Sequence, residues 1–182
     1  MHKPDFFDGF YRCTFTGKGA NGSPLYLLET SGIVIPGTDA VLRPLKFYDA
    51  QRGVWIRPAS ILKDFDYGSV PSLFQSFVSP IISSRAFAMH DSSYVNHGWW
   101  ECNTQDGRYV FYPKTRHECD HMLIRQMIVD DSSVREAELA FDGVYLFGEE
   151  YWESHKGMFP VGTCDMETNQ NVRSSGCHTI IA

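Results

Sequence analysis

The sequence predicts an α+β fold, with a strand-rich N-terminal part of antiparallel hairpins packed against a three-helix C-terminal part. Three observations carry this reading. Up to about residue 71 the apolar residues come in short runs broken by turn compositions, GKGANGSP and PGTD among them. Beyond residue 72 the apolar spacing changes to the three-and-four pattern of helices. Helix-start signals then recur, a Ser or Thr followed three residues later by Glu. The 182 residues are read as a single domain spanning 1–182, in which a strand-rich segment (1–71) precedes a helical core (72–150) and an irregular tail (151–182).

In chain order, Phe10–Phe15, Leu25–Leu28 and Gly32–Ile35 are β-type runs. The stretch LKFYDAQRGVWI (45–56) holds two apolar-aromatic runs around a turn, a hairpin in which Gly53 supplies the positive φ. Pro71 opens a short helix with Leu73, Phe74, Phe77 and Val78 as its apolar stripe. Ser83 or Ser84 caps a longer helix through about Val95, ended by Asn96-His97-Gly98. GWWECNTQDGRYVFYPK follows as an aromatic hairpin turning at Asp-Gly, whose Trp and Tyr residues serve its packing rather than a membrane surface. Thr115 with Glu118 opens a helix through about Val129, and Ser133 with Glu136 opens a third through roughly Phe147. After Trp152 the chain is rich in Gly, Ser, Thr and Asn and reads as irregular coil.

Charge and composition exclude several function classes. The formal charge of −6 comes from scattered acids without a Lys/Arg cluster, so no nucleic-acid partner is expected. The opening MHKPDFFDGFYRC has no apolar run suited to a signal peptide, and no stretch approaches the roughly 20 apolar residues of a transmembrane segment. A chain made and kept soluble is expected. The five cysteines are odd in number, widely spread and without a CxxC, which points to reduced thiols rather than a disulfide framework or a zinc knuckle.

The candidate site begins at AMHDSSYV (88–95). His90 and Tyr94 are four apart and share a helix face, while Asp91 is rotated by about 100°. In RHECDHMLIRQM, Asp120 is in phase with Leu123, Ile124 and Met127, so it falls on an apolar face where a carboxylate needs partners. If the two helices pack antiparallel through these faces, Asp120 accepts from one nitrogen of a partly solvent-facing His90, and Tyr94 donates to Asp120. The other His90 nitrogen is then free to take a proton from water, the arrangement of general-base catalysis. Asp91, facing a loop, is available as a hard oxygen ligand for Ca²⁺, with carbonyls of a Gly-containing loop completing the shell.

His90-Asp91-x-x-Tyr94 followed by Glu118-Cys119-Asp120 resembles the two active-site helices of the secreted calcium-dependent phospholipases that cleave the sn-2 acyl chain. The resemblance covers about fifty residues. It implies that His90 activates water, Asp91 holds calcium, and Asp120 with Tyr94 orients the imidazole. The nearest match to that family's calcium loop is Asp66-Tyr67-Gly68-Ser69, which makes Tyr67 and Gly68 the further metal-ligand candidates. Residues 40–150 are also similar to a family of small phage and prophage proteins catalogued as a domain of unknown function. Its pattern is an Asp-x-x-Ser-Val-Pro segment after a hairpin, then a His-Asp-x-x-Tyr helix, then a helix with a buried Asp; Tyr67 stands where glycine is usual. This implies a phage origin and a shared site, with the host cytoplasm or the virion as location and other phage structural proteins as partners, while the phospholipase resemblance implies lipid as the partner.

Two readings follow: a calcium-assisted lipid or ester hydrolase, and a non-enzymatic virion or host-interaction component that uses the same His-Asp-Tyr network for folding. A metal-dependent His-Asp phosphohydrolase needs another upstream histidine, and only His2 precedes His90. His117-x-Cys119-x-His121 carries metal-capable atoms, but alternate helix residues diverge by about 200° and cannot share an ion, so zinc is not expected. Cys119 is a poor nucleophile candidate, because a buried face beside Asp120 raises a thiol pKa.

Overall fold

The computed structural model describes residues 4–19, 24–29, 33–34, 41–58, 61–65, 83–103, 107–155 and 163–164. The predicted helix after Pro71 and the metal-ligand candidates Tyr67 and Gly68 lie outside the described residues. The fold is α+β, as the change in apolar spacing requires. Strands β1 (Phe6–Asp8), β2 (Arg12–Lys18), β3 (Pro24–Glu29), β4 (Ile33–Val34), β5 (Val41–Leu42), β6 (Lys46–Asp49), β7 (Val54–Arg57) and β8 (Ile61–Phe65) precede helix α1 (Ser84–Asn96). Strands β9 (Gly98–Asn103) and β10 (Tyr109–Pro113) then lead to helices α2 (Arg116–Val129) and α3 (Val134–Ser154), and to β11 (Thr163–Cys164).

The main sheet has the order β1-β6-β7-β9-β10-β11, with every pairing antiparallel. A smaller sheet β2-β3-β8 and the pair β4-β5 complete the β structure among the described residues. The β6–β7 hairpin forms where predicted, with Gly53 at φ 67° and its N–H donating to the Asp49 carbonyl. The β9–β10 hairpin also forms, Gly107 having a φ of 69°. Two expectations about the C-terminal end need correction. Helix α3 runs to Ser154 rather than to Phe147, and the expected irregular tail contributes β11, paired with β10. A strand of two residues carries no period to read in the sequence.

Register assigns each face of the sheet. Phe7, Phe47, Ile56 and Glu101 lie opposite one another in one row, and Phe6, Tyr48, Trp55, Cys102 and Tyr109 form the row of the other face. The first row meets the helices: Phe47, Ile56 and Trp99 share a core with Ala88, Met89, Tyr94, Cys119 and Met122. A second core, Phe87, Leu123, Met127, Ala137, Ala140 and Val144, joins the three helices to each other. Helix α1 therefore lies between the sheet and the other helices, and it is buried without interruption from Ala86 to Tyr94. Two of its buried polar side chains are satisfied locally, the Ser93 hydroxyl donating to the His90 carbonyl and the Asn96 amide to that of Ser92.

Capping sets where the helices begin. Both predicted capping boxes are present, Thr115 with Glu118 and Ser133 with Glu136. Helix α1 is different: Ser83 occupies the N-cap position, yet its hydroxyl bonds to Ser132 and caps nothing. The carboxylate of Asp130, at the end of α2, accepts from the backbone N–H groups of Arg85 at 2.9 Å and Ala86 at 3.3 Å, and from the Arg85 side chain at 2.6 Å. A negative group at a helix N-terminus meets both unpaired donors and the helix dipole. Asp130→Ala is expected to lower stability by about 2–3 kcal/mol. Ser83→Ala should cost less, and urea unfolding of the two variants would check that order. At the other end of α1, His97 is left-handed at φ 50°, and Gly98 follows at φ 154°. A Cβ on Gly98 would stand 2.4 Å from the Tyr112 carbonyl oxygen, so this turn requires glycine.

Candidate active site: a buried His-Asp-Tyr network

The pairing of Arg85 with Asp130 at one end, and of Tyr94 with Asp120 at the other, makes α1 and α2 antiparallel. That orientation brings His90, Tyr94 and Asp120 together, as their spacing requires. Asp120 is 0% exposed. Its Oδ1 accepts from the Tyr94 hydroxyl and lies 3.2 Å from His90 Nε2. Its Oδ2 lies 3.5 Å from the Arg116 guanidinium, one helical turn earlier. Arg116 also donates to the carbonyls of Val144 and Tyr145, both at 3.1 Å, and so ties α3 to the carboxylate's own helix.

His90 Nδ1 is buried and makes no hydrogen bond; Asp91 Oδ1 stands 3.7 Å away, a distance for charge attraction rather than a hydrogen bond. This nitrogen is the one the general-base reading leaves unengaged. The expectation of a partly solvent-facing imidazole is corrected, since His90 is only 4% exposed. The helical period placed it on one face of α1, but packing covers all faces of that helix. Burial opposes the charged imidazole, whereas the hydrogen bond to Asp120 and the adjacent Asp91 favour it more strongly, so its pKa lies above the ordinary value. Burial and the Asp120 carboxylate push the Tyr94 phenol upward. Burial likewise pushes the Cys119 thiol up to about 12, which removes it as a nucleophile.

Two neighbours were not legible as members of this site. Gly148 of α3 faces the Tyr94 ring, and a Cβ there would stand 2.7 Å from the hydroxyl oxygen. Trp152 packs edge-on against Tyr94 at 5.2 Å and stacks on His97 at 3.8 Å. Only the spacing of Arg116, four residues before Asp120, gave any sequence signal.

The donor set bears on calcium. Asp91 is buried and supplies a hard carboxylate oxygen beside the unengaged imidazole nitrogen, which suits one position in a shell of about six to eight oxygens. Among the described residues no group of three His, Cys, Asp or Glu gathers to hold an ion. The same residues include no helix long and apolar enough to cross a membrane. Cys119 does not converge with His117 or His121, as their alternation requires: the cysteine is buried and both histidines are exposed. Cys119 carries a buried free thiol.

Comparison of the chain with protein-family models, with curated proteins and with solved structures found no match.

Proposed function

We propose that this chain is a phage-encoded hydrolase of lipid or other esters with a phospholipase-like site. The observation that carries the reading is the division of labour on His90: Nε2 is held by an Asp120 carboxylate that Tyr94 also engages, while Nδ1 has no hydrogen bond. In the proposed reaction Nδ1 takes the proton of a water that attacks the ester carbonyl. Asp120 stabilises the imidazolium and fixes the ring orientation, and Tyr94 fixes Asp120. Asp91 would hold calcium, together with backbone oxygens at Tyr67 and Gly68. Calcium bound there supplies stabilisation of the developing oxyanion. The resemblance to the phage family supports action in the host cytoplasm or on the virion.

The burial of His90 and Asp120 favours a second reading, a virion or host-interaction protein whose network serves folding alone. One experiment separates them: hydrolysis of a panel of phospholipid vesicles and soluble esters, with and without millimolar calcium, by the wild type, His90→Gln and Asp91→Asn. The hydrolase reading expects calcium-dependent turnover, reduced about 10³-fold or more in His90→Gln. It also expects a calcium-induced rise in melting temperature that Asp91→Asn abolishes. A folded wild type inert across the panel and indifferent to calcium would leave the folding role in its place.

A further inference from the structure

We propose that His117 and His121 form a transition-metal site on the exposed face of α2, separate from the buried network. Each of these histidines diverges from Cys119, but they are four residues apart and so stand one above the other on the helix. Their ring centroids are 6.2 Å apart, with planes inclined by only 23°. Two imidazoles binding one metal through nitrogens at about 2.1 Å hold their centroids roughly 4.5–5.5 Å apart, so chelation requires the rings to approach by about 1 Å and to turn a nitrogen each toward the shared ion.

Each ring is already positioned by α3. His117 packs on Tyr145 at 5.1 Å and His121 on Phe141 at 5.1 Å, and those two aromatic residues pack on each other at 5.6 Å. This limits the side-chain entropy that chelation would otherwise remove. Among the described residues neither imidazole takes part in a hydrogen bond or an ion pair, so their nitrogens are open to an ion. Among the described residues, the charged clusters around Arg125 and Glu101 are internally compensated, Arg125 standing between Asp5 and Asp49 and Glu101 between Arg52 and Lys114.

The chemical class follows from the donors. Two neutral imidazoles suit Cu²⁺, Ni²⁺ or Zn²⁺ and offer nothing to Ca²⁺, which demands oxygen ligands. No third His, Cys, Asp or Glu joins them among the described residues, so the remaining coordination positions fall to water or to an incoming ligand. The test is calorimetric titration of the full chain with Ni²⁺ alone, near neutral pH, beside His117→Gln and His121→Gln. Both substitutions are at exposed positions, and circular dichroism should show both variants folded. The expected result is one equivalent of Ni²⁺ bound by the wild type, with affinity lowered about tenfold or more in each variant because the chelate gain is lost. The proposal is overturned if the wild type binds no Ni²⁺, or if both variants bind it as the wild type does, which would put the ion on other histidines.

Discussion

Replacing Asp120 with alanine should lower the stability of the protein by about 3–5 kcal/mol, measured as a fall in the urea midpoint at unchanged slope. The carboxylate is fully buried and serves Tyr94, His90 and Arg116 together. Its removal leaves a buried phenol and a buried imidazole without their acceptor, and a guanidinium with one partner fewer. Asp120→Asn retains the shape and an acceptor oxygen, so its cost should be smaller. The gap between the two variants measures the desolvated donors; a gap near zero would mean that the core admits water to them.

The second large effect is expected at Glu101, where alanine should cost about 3 kcal/mol. Glu101 is a charged residue in the row of the sheet that faces the helices. It is bound by both terminal guanidinium nitrogens of Arg52, Nη1 and Nη2, by Lys114 at 3.1 Å and by the Trp99 indole at 2.7 Å. Burial works against its charge, but these partners outweigh burial and hold its pKa below the usual carboxylate range. A depressed native pKa gives a stabilisation that is complete above the unfolded value of about 4.3 and is lost as pH falls through the lower native value. Glu101→Gln should therefore flatten the acid limb of a stability–pH profile, while leaving the limb above neutral pH unchanged. A wild-type acid limb that persists in Glu101→Gln would assign it to other carboxylates.

Much of this architecture is written in local signals. The two capping boxes, the Gly53 turn and the apolar phase of Asp120 each depend on residues within a few positions of one another, and each is found where the spacing puts it. The meeting of His90 with Asp120 was legible too, because a buried carboxylate has to find donors and only a few lie on facing stripes. What was hidden depends on more distant stretches of the chain. The burial of His90 follows from the sheet closing over α1 on one side and from α2 and α3 on the other, and no period within α1 encodes that. The room for the Tyr94 hydroxyl comes from a missing side chain at Gly148, on a different helix. Glu101 reads in sequence as an ordinary polar residue of a hairpin, and its partners Arg52 and Lys114 come from separate turns.

The borrowed cap of α1 bears on the order in which the molecule assembles. Arg85 and Asp130 are separated by 45 positions. Closing a flexible loop of that length costs about 3 kcal/mol of chain entropy, so the contact cannot form early on local merit. An excised peptide carrying α1 would lack the group that holds its first turn, and a nascent chain would lack it until α2 had emerged and docked. The helix that presents His90 and Asp91 thus acquires its starting register from the finished fold. Unfolding of α2 as a whole would release both the first turn of α1, held by Asp130, and the His90 contact, held by Asp120.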